Sequence, residues 1–405
     1  MSTITITSTS TITKPSTLPL EGVTVVSLEH AIAAPLATRH LADQGARVIK
    51  IERPAVGDFA RAYDRRVNGL ASHFVWVNRG KESLTLDLKQ PQAQEVLKRL
   101  LAQADVLVQN LAPGAAGRMG LSYEALAPQF PKLVVCDISG YGDGGPYTQK
   151  KAYDLLIQSE SGFLSVTGTA DEMVKSGVSI ADISAGMYAY SNILAALLQR
   201  ARTGVGRRIE ISMLESMAEW MSFPLYYAYG GQEAPQRSGA AHATIYPYGP
   251  FTAGDGRVVM LGLQNEREWK TFCEQVLKTS ELTTDPRFAD NAARTQNRAE
   301  LRQLIESMFS TLTADEVIER LDGADIANAH VNTLADLWRH PQLTQRKRWA
   351  TVNSPAGLLP ALIPPGSDAA NPARMGAVPQ LGAHTDAILL ELGFDAEALR
   401  ACGAI

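Results

Sequence analysis

The chain of 405 residues has few cysteines, no excess of positive charge and no long apolar run. Its three cysteines, Cys136, Cys273 and Cys402, are odd in number and far apart, which excludes a disulfide framework and a Cys-x-x-Cys metal site. The formal net charge of -4 argues against a nucleic-acid partner, because no basic stripe is present to neutralise phosphates. No apolar run approaches the length that spans a bilayer. We therefore expect a cytoplasmic protein without a membrane partner.

Motifs for metals and for nicotinamide cofactors are also missing. The seven histidines show no H-x-x-x-H or H-E-x-x-H spacing, so no metal site is predicted. The turn after the first predicted strand has the sequence EHAIAAP in place of G-x-G-x-x-G, and no G-x-x-x-x-G-K-[ST] occurs. The sequence thus argues against a nicotinamide-dependent enzyme and against a P-loop nucleotide site.

Strands and helices alternate from Val23 onward. The predicted strands are VTVVSL (23–28), ARVIKIE (46–52), SLTLDL (83–88), DVLVQNL (105–111) and PKLVVCDISGYG (131–142). Helical segments such as PQAQEVLKRLLAQA lie between them, and this alternation predicts an α/β fold with a Rossmann-like parallel sheet. Ligands of such sheets bind beyond the carboxyl ends of the strands. Four polar or small residues are expected there: His30, Glu52, Asn110 and Gly140.

The length of the chain indicates two domains, because one hydrophobic core rarely organises so many residues. Residues 1–18 are rich in Ser and Thr and are expected to form a disordered extension. The stretch GGQEAPQRSGAAHATIYPYGP marks a boundary and precedes a predicted hairpin around Asp255. We predict a discontinuous large domain, 19–215 and 325–405, and a linker with a smaller α+β domain at 216–324.

The segment SGYGDGGPYTQKKAYDLLIQSESGFLSVTG (139–168) is the most informative one for chemistry. Its first eight residues include four glycines and a proline, which require sharp turns and allow a bulky ligand to approach the backbone. Asp154 then begins an apolar helical turn, YDLLIQ. In one interpretation its carboxylate only caps the helix. In the other, the helix N-terminus stabilises a carboxylate that acts as a nucleophile.

This segment is similar to the motif around the catalytic aspartate of the class III CoA-transferases, the formyl-CoA and carnitine-CoA transferase group. Other segments resemble that family in the same order along the chain: LADQGARVIKIERPAVGDFAR, NRGKESLTLDL, ADVLVQNLAPGAAGRMGLSYEAL, TGVGRRIEISMLESM, DPRFADNAARTQNR, HPQL and LGAHTDAIL. The resemblance implies that Asp154 attacks a donor thioester and carries first the acyl group and then CoA. It also implies an interlocked homodimer and no cofactor, with CoA as a substrate carrier.

The resemblance implies two further sets of residues. The set expected to bind CoA is Arg118, Asn110, Asn78, Arg79, Lys81, Glu52, Arg53 and His30. Its cations suit the ADP phosphates. The set expected to line the substrate pocket is His30, Ile32, Gly140, Gly262 and Gln264. Candidate anchors for a distal carboxylate are His30 and either Arg47 or Arg61.

Two departures from the formyl-CoA transferases point to the substrate. Ile32 stands where those enzymes carry a glutamine, and Gly262 stands alone where they carry a run of glycines. Both departures resemble the itaconate, mesaconyl and citramalate CoA-transferases. We therefore expect CoA transfer from succinyl-CoA to a C5 dicarboxylate such as itaconate.

Three alternative functions compete with this expectation. A mesaconyl-CoA transferase acting intramolecularly, or a citramalate CoA-transferase, would use the same aspartate. The α-methylacyl-CoA racemases share the fold, but their second acid/base is a histidine roughly thirty residues before the aspartate. No histidine lies between His73 and His242, which argues against a racemase. A non-enzymatic acyl-CoA-binding protein would not need the Asp154 segment.

Overall fold

A computed structural model describes residues 18–405, so the predicted extension lies outside the described residues except for Leu18. The described chain divides into two compact units. The first contains the residues up to Asp154 together with Ser179–Ser216 and Lys347–Ile405. The second contains Leu155–Val178 and Met217–Arg346. The chain therefore returns to the first unit twice.

The strands are, in chain order, β1 Thr24–Leu28, β2 Arg47–Glu52, β3 Lys81–Thr85, β4 Val106–Gln109, β5 Val134–Ser139, β6 Arg208–Ser212, β7 Tyr248–Thr252, β8 Val258–Gly262, β9 Ala327–His330, β10 Trp349–Ser354 and β11 Gly357–Leu362. The helices are α1 Ala33–Asp43, α2 Ser72–Asn78, α3 Pro91–Leu101, α4 Ala115–Arg118, α5 Tyr123–Leu126, α6 Asp154–Glu160, α7 Phe163–Val166, α8 Ile180–Thr203, α9 Met213–Trp220, α10 Ser222–Tyr227, α11 Glu266–Thr271, α12 Asn291–Gln296, α13 Arg298–Phe309, α14 Ala314–Gly323, α15 Leu334–Trp338, α16 Pro341–Gln345, α17 Thr385–Leu392 and α18 Ala396–Ala401.

The first unit is built on a six-stranded parallel sheet with the order β3-β2-β1-β4-β5-β6. Apolar side chains of the central strands are fully buried, as a parallel sheet covered on both faces requires. The strand order reverses between β1 and β4, which opens a crevice at the carboxyl ends of these strands. The predicted α/β fold with a Rossmann-like sheet is confirmed.

Helices cover both faces of this sheet. On one face α3 and the C-terminal α17 bury Leu97, Leu101 and Leu389 against the strands. On the other, α8 lies directly on α1, because a Cβ at Gly186 would come within 2.7 Å of the Ala33 carbonyl oxygen. A glycine at this position therefore permits the two backbones to approach each other closely.

The second unit has its own antiparallel sheet, β7-β8-β9, and its own core of aromatic side chains that includes Trp269, Phe272 and Phe309. The hairpin predicted around Asp255 joins β7 to β8. Because β9 pairs with β8, this unit continues past the predicted boundary at 324 and the first unit resumes at Lys347. The unit also includes the segment 155–178, whose Gly168 carbonyl accepts a hydrogen bond from the Gly239 N–H.

The chain ends in the first unit with a β10–β11 hairpin and the two helices α17 and α18. These two helices form the C-terminal tail and are separated by the three residues 393–395. Within residues 18–405, no helix combines the length and apolar character needed to cross a lipid bilayer.

Candidate active site

The carboxyl edge of the parallel sheet carries the residues expected there. His30 lies two residues after β1, and Glu52 is the last residue of β2. Asn110 and Gly140 directly follow β4 and β5. These placements agree with the strand ends derived from the sequence. The sheet therefore brings four predicted residues to one edge.

The turn after β1 is held by side chains from neighbouring strands. The Asn110 side-chain amide accepts a hydrogen bond from the His30 N–H and donates one to the His30 carbonyl, both at 2.9 Å. The next residue, Ala31, has a left-handed φ of 60° and donates its N–H to Asp58 Oδ1 at 3.2 Å. The imidazole of His30 stacks on Phe59, with ring centroids 5.3 Å apart. In this structure Asn110 shapes the turn, and its role in CoA binding stays a prediction.

A buried cluster of charged residues lies behind this turn. Lys81 Nζ contacts Glu29 Oε1 at 2.6 Å, the Pro35 carbonyl at 2.9 Å and Asn78 Oδ1 at 3.0 Å. Lys50 Nζ contacts Asp58 Oδ2 at 2.7 Å. Burial lowers the pKa of Lys81 to about 7, and the attraction of Glu29 opposes this shift. The Lys81 ammonium is thus committed to protein acceptors in the interior.

Other predicted CoA ligands are paired in the same way. The guanidinium of Arg79 donates to both carboxylate oxygens of Asp43, at 3.1 and 2.9 Å. The Glu52 carboxylate accepts two hydrogen bonds from Arg61, at 2.8 and 2.7 Å, and one from Ser83 at 2.6 Å. These contacts support structural roles for Asn78, Arg79, Lys81 and Glu52. Their roles in CoA binding remain predictions that no contact tests.

The two candidate arginine anchors for a distal carboxylate also have protein partners. Arg61 pairs with Glu52, as described above. Arg47 pairs with Glu82 and Glu391 at the surface. Each guanidinium is therefore already neutralised by a carboxylate of the same unit.

Arg53 and Arg118 differ from these cations. Both are exposed, and within residues 18–405 neither guanidinium has a hydrogen bond or ion pair to a protein group. Arg118 closes the short helix α4 in the loop after β4. A cavity of about 320 Å³ lies between this loop and the start of the glycine-rich segment, and Gly114, Gly117 and Gly142 line it. The two arginines are therefore available to an anionic ligand.

The substrate-pocket residues have separate surroundings. Gly140 allows the chain to fold back tightly, because a Cβ there would lie 2.2 Å from the Ala152 Cβ. Ile32 is buried against Leu36 and Val77. Gly262 and Gln264 belong to the second unit, where Gly262 lies against the Tyr248 ring and the Gln264 N–H donates to Glu268 at 2.7 Å.

Asp154 lies at the N-termini of two helices. It is the first residue of α6, and its Oδ1 accepts hydrogen bonds from the N–H groups of Ala181 at 2.8 Å and Asp182 at 3.4 Å. Those N–H groups belong to the first turn of α8, a helix of 24 residues. The positive ends of both helix dipoles thus face this carboxylate. The capping interpretation and the reactive-carboxylate interpretation both fit this geometry.

A second carboxyl group, that of Asp182, lies beside Asp154 and was not singled out from the sequence. Burial and the charge of Asp154 raise the pKa of Asp182 to about 7, while a hydrogen bond from the Ala33 N–H opposes this shift. The available signal in the sequence was an acidic residue at the start of the Ala-rich segment that forms α8. Neighbouring carboxyls with one pKa raised towards neutrality are typical of catalytic sites.

No metal centre emerges from the described part of the chain: residues 18–405 contain no group of three or more His, Cys, Asp or Glu side chains arranged to hold an ion. What the edge of the first unit presents is a pair of carboxyls at helix N-termini and two uncompensated arginines. Such a site can position an anionic ligand and offer it a nucleophile.

Comparison with known proteins covers nearly the whole chain. Residues 20–385 match the profile described as "CoA-transferase family III". Succinyl-CoA:glutarate CoA-transferase from Mus musculus is 35% identical over 83% of this chain and 77% of that protein. Succinyl-CoA:mesaconate CoA-transferase from Haloarcula hispanica is 31% identical over 92% of this chain and 96% of that protein. The crystal structure of a CAIB/BAIF family protein from Brucella suis covers 93% of this chain and all of its own, with a TM-score of 0.82 and 33% identity.

Proposed function

The chain belongs to CoA-transferase family III and is a CoA-transferase, and from this premise we propose that it passes CoA from succinyl-CoA to a C5 dicarboxylate through a covalent intermediate on Asp154. The observation that carries the proposal is the Asp154 carboxylate at the N-terminus of α8, where Asp182 lies beside it. A carboxylate is the nucleophile that acyl exchange between two acids requires, because it forms an anhydride that is reactive enough for the CoA thiolate to attack.

The names of the relatives support the class of substrate. Proteins related to this chain are named for glutarate, mesaconate and D-citramalate, and each name includes succinyl-CoA or succinate. All three acceptors are dicarboxylates with a five-carbon chain or skeleton. We extend this class to itaconate, the acceptor expected from the sequence. Intramolecular mesaconyl-CoA transfer and citramalate transfer are the alternative uses of the same chemistry.

The proposed reaction has two halves. A carboxylate oxygen of Asp154 attacks the thioester carbonyl, the C–S bond breaks and CoA departs as the thiolate. The product on the enzyme is an acyl-aspartyl anhydride. The thiolate then attacks the aspartyl carbonyl and releases succinate, which leaves an aspartyl-CoA thioester. The acceptor carboxylate reverses the two steps. Backbone N–H groups of the α8 N-terminus are suited to stabilise the oxyanions.

Two carboxylates compete for the role of acyl carrier. The sequence prediction places the acyl group on Asp154, and that assignment remains a proposal. The two N–H groups of α8 that donate to Asp154 Oδ1 hold this carboxylate at the helix N-terminus. Asp182 lies beside it, and burial together with the charge of Asp154 raises the pKa of Asp182 to about 7.

Binding of CoA is proposed to rest on Arg53 and Arg118. Their exposed guanidinium groups, without a protein carboxylate within the described residues, suit the CoA phosphates. Among the buried members of the predicted set, Asn78, Arg79 and Lys81 are more suited to hold the turn and the sheet edge. CoA remains a substrate carrier in this proposal.

A homodimer is proposed, with the interlocked form implied by the family resemblance. Large apolar side chains of the second unit are exposed around α10, namely Phe223, Leu225, Tyr226 and Tyr229, with Tyr226 and Tyr229 each 78% accessible. Large exposed apolar surfaces often mark protein–protein contacts. Light scattering after size-exclusion chromatography tests the proposal. A monomeric mass at micromolar concentration would contradict it.

The function is tested by a panel assay. The protein is incubated with succinyl-CoA and with itaconate, mesaconate, citramalate, glutarate or acetate, and the acyl-CoA products are identified by mass spectrometry. We expect new CoA esters of the C5 dicarboxylates and little acetyl-CoA. Exchange with monocarboxylates alone would refute the proposed substrate class. Incubation with mesaconyl-CoA alone, which gives an isomeric product only if transfer is intramolecular, separates the two alternatives.

A further inference from the structure

The three candidate anchors for a distal carboxylate differ in their surroundings. Arg47 and Arg61 are paired with carboxylates of the first unit. For His30, the buried Nδ1 has no hydrogen-bond partner within residues 18–405, although 34% of the side chain is exposed. The ring therefore turns Nδ1 to the interior and presents its other edge, which carries Nε2, to a ligand.

One carboxylate, that of Asp58, faces the buried Nδ1 of His30. Asp58 Oδ1 lies 3.8 Å from this nitrogen, which is longer than a hydrogen bond but within range of direct electrostatic attraction. The Asp58 side chain is fully buried, and its Oδ2 contacts Lys50 Nζ at 2.7 Å. Oδ1 accepts hydrogen bonds from the N–H groups of Ala31 and Ala60, at 3.2 and 2.9 Å. Asp58 thus has a fixed place from which it can orient the imidazole.

The turn that carries His30 leads directly to the reacting carboxylate. The N–H of Ala33, three residues after His30, donates to Asp182 in the first turn of α8. The same turn of α8 donates two N–H groups to Asp154. Since three residues of chain span at most about 11 Å, the backbone holds the imidazole close to the site where the acyl group is proposed to form.

Tyr63 is a second link between these two places. Burial raises the pKa of its phenol, and the charges of Asp58 and Asp182 raise it further. A single side chain is therefore influenced both by the carboxylate behind His30 and by the first turn of α8.

We infer that Asp58 is a positioning residue that holds His30 with a protonated Nδ1 and with Nε2 directed at the bound acid, where Nε2 donates to the distal carboxylate of a dicarboxylate. The inference rests on the proposed function and deepens it, because it names the residue that selects dicarboxylates over monocarboxylates. No covalent bond to the substrate forms or breaks in this role.

The charge of Asp58 decides which nitrogen of His30 carries the proton. A neutral imidazole has one N–H group, and an Nδ1 lone pair directed at a carboxylate would be repelled by it. The proton therefore belongs on Nδ1. When a ligand carboxylate reaches Nε2, a second proton from solvent makes both nitrogens donors, and the imidazolium lies between two carboxylates. Lys50 shares the charge of Asp58, so the effect of Asp58 should be smaller than that of His30 itself.

The test compares glutarate with butyrate, which lacks only the distal carboxylate, as acceptors from succinyl-CoA. In His30→Phe, which keeps a ring against Phe59, the KM for glutarate should rise about tenfold or more while transfer to butyrate stays unchanged. Asp58→Asn should raise the KM for glutarate in the wild-type background and add nothing in His30→Phe. His330→Phe is the matched control, because this histidine also faces a carboxylate, Asp315 at 3.7 Å, but belongs to the second unit. It should leave both acceptors unaffected.

A purely structural role of Asp58 predicts a different pattern. Asp58→Asn would then lower kcat for both acceptors and its effect would add to that of His30→Phe, which would overturn the inference. An unchanged KM for glutarate in His30→Phe would also overturn it and leave the proposed function standing. Wild-type protein that transfers CoA to no dicarboxylate would contradict the proposed function itself.

Nitrogen NMR of the histidine rings keeps the inference testable if Asp58→Asn does not fold. The His30 signals are those of the wild type that disappear in His30→Phe. They should show a proton on Nδ1. An Nδ1 without a proton would overturn the positioning role of Asp58.

Discussion

Replacing Lys81 by methionine should destabilise the first unit strongly. The Lys81 ammonium is buried and contacts Glu29, the Pro35 carbonyl and Asn78 within 3.0 Å. Methionine has a similar volume but carries no charge. The remaining cation near Glu29 Oε1 is then Lys50, whose Nζ lies 3.5 Å away. Removing one partner of a buried ion pair costs about 3–5 kcal/mol, because the other charge stays buried without compensation. We expect a loss of that size in the free energy of unfolding.

The double variant Lys81→Met/Glu29→Gln should recover much of this loss, because it removes the uncompensated charge and leaves Lys50 with Asp58. Urea titration followed by circular dichroism measures all three proteins. Arg118→Ala is the matched control, since an exposed cation without a protein partner should change stability by less than about 0.5 kcal/mol and raise the KM for acyl-CoA roughly tenfold. A stable Lys81→Met protein with a raised KM would refute the structural role and favour direct CoA binding.

Three further predictions concern the sheet edge. Asn110→Ala removes both hydrogen bonds to the His30 backbone. It should lower the free energy of unfolding by about 1–3 kcal/mol in a urea titration and should also lower kcat in the exchange assay. If neither value changes, Asn110 does not hold the turn after β1. Gly140→Val should abolish exchange or soluble expression, because even a Cβ at this position meets a neighbouring side chain at 2.2 Å. Burial opposes ionisation of Asp58, but Lys50 holds its pKa well below its ordinary value; the stability this contributes is present above about pH 4 and is lost at lower pH. The temperature of thermal unfolding should therefore fall less steeply between about pH 5 and pH 3 in Asp58→Asn than in the wild type. Equal slopes in the two proteins would refute this.

The fold could be predicted largely from periodicity. Buried parallel strands appear as short β-branched runs, and the helices between them end at glycines, so the sheet and its edge residues followed from local patterns. The boundary of the second unit could not be obtained this way. It depends on β9 pairing with β8 across more than sixty residues, and the sequence of neither strand indicates which strand it pairs with.

The candidate site, too, could be predicted only in part from the sequence. The glycine-rich segment and Asp154 stand out in the sequence because they combine unusual turns with a carboxylate. Asp182 does not, since an acid near a helix start is common, and its raised pKa comes from burial and from a residue 28 positions away. Likewise, Lys81 and Arg118 are both cations near strand ends in the sequence. Only the tertiary contacts distinguish the buried ion pair from the exposed guanidinium.

The most direct test of the covalent mechanism is to locate the acyl group. Protein incubated with succinyl-CoA is treated with hydroxylamine, which converts an acylated aspartate to a hydroxamate, and the modified residue is identified by peptide mass spectrometry. We predict modification of Asp154 in the wild type, its loss in Asp154→Asn, and no exchange activity in that variant. A wild-type protein that exchanges CoA while neither Asp182 nor Asp154 is modified would contradict covalent catalysis by this pair.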